Sequence, residues 1–259
     1  MKYLNAWMLS FVALAGAAAG CRTASFLPIG TVEGRQAAAG ARKLAVRNNI
    51  GEIRIEAGPS AEVSVRAVVF YKGDEDDLPR PARAERDLVL KLEGDTLLVQ
   101  NAHVDASDHN DWKMDLTITA PAALDIEVSC GVGRCQISGA RKDIRANIGV
   151  GDIEVNVMEI VNASISTGVG RIELNVEKDV APGEIVCKAG VGTVRIALPR
   201  YFAGEVSMGT GVGSISVENA PGLTVTRNVT TYSAAGKLGS SPSRLTATTG
   251  TGDIFFRLR

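Results

Sequence analysis

The chain has 259 residues, a formal net charge of −1 at pH 7, 28 glycines and only 5% aromatic residues. A nearly neutral chain has no electrostatic attraction for the phosphate backbone or for anionic lipid, which argues against a nucleic-acid-binding protein. Abundant glycine and scarce aromatic residues favour one large all-β domain over two small ones.

Residues 1–20 have the layout of a signal peptide. Lys2 is followed by an uncharged run from Leu4 to Gly20 that ends in alanines and glycines. A charged start, an apolar centre and a small-residue cleavage zone are typical of secretion signals. A transmembrane helix is the alternative, because the run approaches the roughly 18 residues from which a span becomes possible. The small-residue end and the polar residues after Cys21 favour export.

The segment from Ala18 to Cys21 resembles a lipobox, with Ala18 where leucine is usual. Cleavage there leaves Cys21 with diacylglycerol and an acylated amine, which gives the two or more chains that stable anchoring requires. Arg22 stands where an aspartate would mark retention in the inner membrane, so an outer-membrane lipoprotein is favoured. Cleavage by the ordinary signal peptidase is the alternative, and it gives a soluble periplasmic or secreted protein.

Residues 21–42 are predicted to comprise the lipidated Cys21 and a flexible tether, because this segment shows no periodicity. The folded domain is predicted for residues 43–259. Its first part, residues 43–121, contains alternating strands interrupted by irregular loops. Its second part, residues 122–259, consists of regular repeats.

One motif occurs six times in the regular part, and successive copies begin about twenty residues apart, except for a last interval close to two periods. The copies are GVGRCQI from Gly131, GVGDIEV from Gly149, GVGRIEL from Gly168, GVGTVRI from Gly190, GVGSISV from Gly211 and GTGDIFF from Gly250. Apolar residues alternate on both sides of each glycine pair, as in strands buried on one face. Each unit therefore predicts a strand, a G-x-G corner and a second strand. The long interval predicts an insertion or a degenerate copy between Val217 and Leu245.

A unit of about twenty residues cannot bury its apolar face alone, so the units are predicted to stack end to end. The predicted fold is an all-β, single-domain β-solenoid with two main strands per coil. Six or seven coils, each rising about 4.8 Å, would form a rod of roughly 30 to 35 Å. Valines between the paired glycines are predicted to fill the corners as an internal ladder: Val132, Val150, Val169, Val191 and Val212. Arg134, Asp152 and Arg171, which follow second glycines, are interpreted as marks of register between coils.

These repeats resemble the bacterial putative-adhesin domain family of unknown function, which is recognised by glycine-aspartate-isoleucine units after paired glycines. The resemblance covers residues 42–259 and implies an envelope-associated β-solenoid, with no catalytic residues to carry over. The aspartate is present only at Asp152 and Asp253. A ligand role shared by that position in every repeat is therefore not expected.

The two histidines of the chain, His103 and His109, lie close to three aspartates in one irregular segment. Imidazole together with carboxylates can bind zinc or another divalent ion. The candidate metal site therefore consists of His103, Asp105, Asp108, His109 and Asp111. A solvated loop between strands is the alternative, and no cofactor is predicted for the chain.

Three cysteines remain beyond Cys21. Cys135 and Cys187 occupy inward positions of the repeat, which predicts small buried side chains. Cys130 and Cys135 flank the first corner, so a disulfide between them is the alternative if its strict distance requirement is met.

Nucleophilic catalysis would need a serine or cysteine with a histidine partner, and the sequence offers no such pair. We therefore predict a non-enzymatic cell-envelope lipoprotein, held to the membrane by its N-terminal lipid and acting in adhesion, scaffolding or envelope interaction. Its partner would be an envelope protein or a glycan. One alternative is a polysaccharide-active β-helix enzyme, although the short corners leave little room for a cleft. The other is a metal-binding periplasmic protein that uses the 103–111 loop.

Overall fold

The computed structural model describes residues 25–73, 88–102, 111–228 and 231–259. Within these ranges the chain forms 21 β-strands. They are β1 (Phe26–Ala37), β2 (Lys43–Ile50), β3 (Ile53–Gly58), β4 (Glu62–Lys72), β5 (Leu88–Glu93), β6 (Thr96–Asn101), β7 (Trp112–Pro121), β8 (Asp125–Val132), β9 (Cys135–Ser138), β10 (Ile144–Val150), β11 (Ile153–Ile160), β12 (Ala163–Val169), β13 (Ile172–Val180), β14 (Glu184–Val191), β15 (Val194–Leu198), β16 (Gly204–Val212), β17 (Ile215–Glu218), β18 (Leu223–Arg227), β19 (Tyr232–Leu238), β20 (Arg244–Thr251) and β21 (Ile254–Leu258). No helix in the described ranges has the length and apolar character needed to cross a membrane.

The strands form two long sheets that enclose one core. Sheet A has ten strands in the order β1-β4-β7-β3-β9-β11-β13-β15-β21-β17, and sheet B has eleven in the order β18-β19-β16-β20-β14-β12-β10-β8-β2-β6-β5. The predicted all-β solenoid is confirmed. At about 4.8 Å between neighbouring strands, sheets of this size extend over more than about 40 Å, so the stack is longer than the sequence predicts.

Each regular coil gives one strand to each sheet and turns between them at its G-x-G corner. The strands of successive coils pair in parallel and in register, so that Ile144 lies beside Ala163 in sheet B and Ile153 beside Ile172 in sheet A. Equivalent residues of the repeats are thereby stacked in rows. The alternating apolar residues on both sides of the corners are buried as predicted, except for Val217, which is only partly buried.

The prediction that the valines fill the corners is wrong. Their side chains are exposed, from 47% for Val132 to 58% for Val212. The corner is filled by the residue before the first glycine, or before Asn49 where asparagine takes the place of that glycine. This residue is buried along the stack: Asn48, Cys130, Ile148, Thr167, Ala189, Thr210 and Thr249. Thr167 also donates a hydrogen bond of 3.0 Å to the carbonyl of Gly151 on the neighbouring coil. Because this residue occupies the corner, the valine that follows must point outward.

The order of coils in the stack differs from their order in the chain. The last coil, β20 and β21, lies between the coil of β14 and β15 and the coil of β16 and β17. Near the other end, the coil of β2 and β3 lies between the coil of β6 and β7 and the coil of β8 and β9. The predicted insertion between Val217 and Leu245 is the antiparallel pair of β18 and β19, which extends sheet B beyond β16. This insertion gives the chain the length to pass the coil of β16 and β17 before it returns into the stack.

Part of the predicted tether belongs to the folded domain. Residues 26–37 form β1, which pairs antiparallel with β4 from Phe26 beside Lys72 to Ala37 beside Glu62. Its alternation is weak in the sequence because β1 is the outermost strand of sheet A and only Val32 and Gly34 are fully buried. The prediction of a flexible tether is therefore wrong for residues 26–37.

The second glycine of each corner packs directly on the coil beside it. Gly151 has a φ of 142°, a backbone conformation that side chains rarely tolerate, and an added Cβ would overlap the carbonyl oxygen of Gly133. The same glycine-on-carbonyl contact recurs from Gly133 to Gly252. The corner glycines are therefore required both by backbone conformation and by close approach.

We expect Gly151→Ala to lower the free energy of unfolding by at least about 2 kcal/mol, because strain in φ and overlap with the neighbouring coil act together. Gly209→Ala is the matched control, since Gly209 lies in β16 with open space around it and no positive φ. Urea unfolding followed by circular dichroism would measure both effects. Equal losses in the two variants would contradict the stacking role of Gly151.

Candidate binding face

The parallel register places the outward side chains of sheet A in two rows. On β13, β15, β21 and β17, the first row contains Glu173, Arg195, Phe255 and Ser216, and the second contains Asn175, Ala197, Arg257 and Glu218. These four strands form the end of sheet A farthest from β1. The last strand of the chain, β21, lies between β15 and β17, so the order of these strands in the sheet differs from their order in the chain.

The two rows line a depression of about 220 Å³, which we call the C-terminal depression. Ala197 stands between Asn175 and Arg257 in the second row, and its side chain is much shorter than theirs. The Arg259 side chain crosses β15 and donates a hydrogen bond from Nη2 to Oδ1 of Asn175. Ala197 is thereby covered, with 4% of its surface exposed.

Two guanidinium groups of the C-terminal depression are available to a ligand. Arg195 lies over the ring of Phe255, with 5.1 Å between the guanidinium carbon and the ring centroid. Neither Arg195 nor Arg257 forms an ion pair with a described residue. A guanidinium that lies over an aromatic ring is restrained by that contact, and its planar set of N–H donors suits a planar anion such as a carboxylate.

Carboxylates flank these arginines at both sides. Glu173 on β13 accepts a hydrogen bond of 3.2 Å from Nδ2 of Asn175, and Glu218 lies on the edge strand β17. The depression thus offers guanidinium donors, carboxylate acceptors and the partly exposed ring of Phe255. Such a set of groups suits a ligand that carries both an anionic group and hydroxyls.

Glu154, farther along the same face, is already satisfied by its own sheet. It accepts hydrogen bonds from Nε2 of Gln136 at 3.0 Å, Nδ2 of Asn156 at 2.8 Å and Nη2 of Arg134 at 3.0 Å. These bonds, with that from Gln136 foremost, lower the pKa of the Glu154 carboxyl below its ordinary value. Its charge is therefore used to join β9 to β11 and not to bind a ligand.

The aspartates of the repeat join neighbouring coils. Oδ1 of Asp152 accepts the backbone N–H of Arg171 at 2.8 Å, and Oδ1 of Asp253 accepts that of Ser214 at 2.8 Å. The residue after the second glycine therefore helps to fix the register between coils, as predicted, but it does so by accepting hydrogen bonds from the backbone. Within the described residues, the side chains of Arg134, Asp152 and Arg171 form no ion pairs with one another.

Four members of the predicted metal site, His103, Asp105, Asp108 and His109, lie outside the described residues, as does Cys21. Asp111 is described and directly precedes β7. No group of three or more potential metal ligands occurs among the described side chains. The metal site remains a prediction of the sequence.

Cys130, Cys135 and Cys187 are buried and free, so the alternative of a disulfide between Cys130 and Cys135 is not realised. The two residues lie in different sheets, on β8 and β9, on either side of the corner. The Cys130 thiol is directed to backbone carbonyls, including that of Val132 at 3.6 Å. The Cys130 thiol thus occupies the same corner position, and contacts the same kind of backbone carbonyl, as the Thr167 hydroxyl does in the coil of β12 and β13.

Sequence reasoning missed the C-terminal depression. Its one sequence signal is Phe255, an aromatic residue at an outward position that is polar or charged in most other repeats. The depression also depends on Ala197 and Arg257 being neighbours, and this follows only from the insertion of β21 beside β15.

A protein-family model described as the N-terminal domain of toast_rack, DUF2154, matches residues 35–175. No curated protein matches the chain. Among solved structures, the chain resembles a putative cell adhesion protein from Clostridium sporogenes, with a TM-score of 0.51, 14% identity, and 88% of this chain and 99% of that chain covered. It is also similar to a putative adhesin from Bacteroides fragilis, with a TM-score of 0.41, 15% identity, and 87% and 96% of the respective chains covered.

We expect the stability of the domain to fall as pH rises above about 9, because burial raises the pKa of the Cys130 thiol to about 11 and of the Cys187 thiol to about 12. Burial also raises the pKa of Cys135. Unfolded thiols release their protons near pH 8.5, whereas the folded chain retains them, so each buried thiol lowers the unfolding free energy by about 1.4 kcal/mol per pH unit in this window.

Urea unfolding at several pH values would measure this slope. Cys187→Ala is the comparison, because Ala146 and Ala247 occupy the same position in other coils. The variant should lose one thiol's share of the slope. An unchanged slope would contradict the assignment of the pH dependence to buried thiols.

Proposed function

Because the chain belongs to the family of the N-terminal domain of toast_rack, we propose that it is an exported, non-enzymatic envelope protein that binds an acidic glycan through the C-terminal depression. The membership bears out the sequence prediction of a putative-adhesin domain family of unknown function. The observation that carries the proposal is the pair of guanidinium groups, Arg195 and Arg257, which form no ion pair with any described residue and lie beside a partly exposed aromatic ring.

Attachment to the membrane would be through lipid on Cys21, and an outer-membrane lipoprotein is the form we propose. The arrangement of sheet A supports this, since β1 begins at Phe26, only five residues after Cys21, and is the outermost strand at one end. The C-terminal depression lies at the opposite end of the same sheet. At about 4.8 Å per strand, the anchor and the depression would be roughly 35 Å apart, so a tethered rod would present the depression away from the bilayer.

The proposed ligand is a glycan that contains sugar carboxylates. Its carboxylate would be bound by the guanidinium groups of Arg195 and Arg257, since planar two-donor contacts to carboxylates are among the stronger hydrogen bonds. Glu173 and Glu218 would accept hydrogen bonds from hydroxyls on either side. A depression of about 220 Å³ has room for a small part of such a chain and not for a long deep-seated segment.

We expect Cys21→Ala to release the protein from membranes. Expression of the full chain in a bacterial host, followed by membrane fractionation and intact mass measurement, should show a lipid mass increase that the variant lacks. A soluble product without the lipid mass increase, from both the parent chain and Cys21→Ala, would mean cleavage by the ordinary signal peptidase. That result would overturn the proposed anchor and leave a free periplasmic or secreted rod.

We expect the full chain to bind polygalacturonate and not the neutral polymer dextran. Arg195→Gln combined with Arg257→Gln should weaken binding at least tenfold in isothermal titration calorimetry, because each substitution removes a charged donor from the ligand's carboxylate. Arg54→Gln is the matched control. Arg54 is exposed on the same face of sheet A, five strands from β21.

Unchanged binding in the double variant, or equal loss in the Arg54→Gln control, would contradict the assignment to the C-terminal depression. The same incubations should release no reducing sugar ends. Release that depends on Glu173 or Glu218 would instead favour the polysaccharide-active enzyme.

A further inference from the structure

The exposed valines of the corners form a continuous line along one edge of the stack. Parallel pairing places one residue of each coil in this line, in the stack order Ile50, Val132, Val150, Val169, Val191, Thr251 and Val212. We call this line the valine ridge. At about 4.8 Å per coil it is roughly 29 Å long.

The valines of the valine ridge are exposed to solvent. Val150 and Val169 are each 49% exposed, and glycines precede and follow both residues. Because these glycines carry no side chains, about half of the surface of each valine remains in contact with water. A regular apolar surface of this kind, bordered by charged residues, is typical of a protein–protein contact.

Charges of alternating sign follow one flank of the ridge. The residue after the second glycine, or its equivalent, is Glu52, then Arg134, Asp152 and Arg171 on four consecutive coils. Arg134 donates to Glu154 of its own chain, but Glu52 and Arg171 are exposed and form no ion pair with a described residue. The unused charges of the flank are thus opposite in sign and three coils apart.

We propose that the valine ridge is a self-association surface on which a second copy of this chain packs antiparallel. A two-fold axis perpendicular to the rod and lying in the plane of contact brings the same flank of both ridges together. With this axis between Val132 and Val150, Glu52 faces Arg171 of the second copy and Arg134 faces its Asp152. Symmetry repeats both contacts, so two pairs of otherwise unused charges, Glu52 with Arg171, border the apolar contact, beside two pairs in which Arg134 and Asp152 are already hydrogen-bonded within their own chain.

The neighbouring antiparallel registers each oppose a pair of like charges. Moving the axis by half a coil, onto Val150, places Arg134 opposite Arg171. Moving it by a whole coil keeps Asp152 opposite Arg171 but places Glu52 opposite Asp253, which follows Asp152 and Arg171 farther along the flank. Charge therefore favours the proposed register over these two, because like charges at a contact disfavour it.

A contact along a single edge is narrower than a standard protein interface, which buries about 800 Å² on each partner. We therefore expect a reversible monomer–dimer equilibrium. The full chain carrying Cys21→Ala, which cannot be lipidated, should show concentration-dependent dimerisation in sedimentation velocity experiments. A strictly monomeric chain at every soluble concentration would overturn the proposal.

Val150→Thr combined with Val169→Thr should weaken dimerisation at least tenfold, because two apolar contacts on each copy are replaced by hydroxyls. The fold should tolerate this change, since Thr251 already occupies the ridge on the coil of β20 and β21. Circular dichroism would verify folding. A folded double variant that dimerises like the parent chain would overturn the role of the ridge.

Charge reversal tests the antiparallel register. Arg171→Glu should weaken dimerisation severalfold, and Glu52→Arg added to it should restore the parent affinity. Within one molecule the two positions are three coils, or about 14 Å, apart, so restoration has to arise between molecules. Loss in Arg171→Glu without restoration in the double reversal would show that the pairing geometry is wrong.

Discussion

The structure depends on the contact between corner glycines of adjacent coils. In this contact the Cα of one glycine, such as Gly151, packs against the backbone carbonyl of the equivalent glycine on the neighbouring coil, such as Gly133. This contact fixes the distance between coils and excludes a Cβ at Gly133, Gly151 and Gly170. With the corners fixed, the strands on both sides can pair only in parallel and in register. Inward residues then stack into one core, while outward residues stack into rows. The binding face and the valine ridge are both such rows.

Much of this could be predicted from local pattern. Alternation of apolar residues identified the strands and the inward positions, and the paired glycines identified the corners. Pattern failed at Val150 and its equivalents, because an apolar residue type usually indicates burial. The corner volume was already taken by Thr167 and its counterparts, whose hydroxyls bind the glycine carbonyls. A threonine before a glycine gives no local sign of this role.

The remaining errors concern long-range arrangement. Because all coils share one sequence pattern, the sequence does not indicate which coils are neighbours in the stack. The simplest expectation is that coils stack in the order in which they occur in the chain, and the structure departs from this order. The true order brings Arg257 beside Ala197 and Glu218, residues that belong to three different coils. The C-terminal depression could not be derived without this knowledge. Similarly, β1 was recognisable only through its partner β4, since its own residues alternate weakly.

The position of the last coil also decides how the rod is completed. Residues 244–259 form a coil that lies between two coils made earlier in the chain, so the stack has a gap until these residues are in place. Truncation at the C-terminus would split the rod and not shorten it. A protein fused after Arg259 would project from the side wall and leave the tip of the rod free.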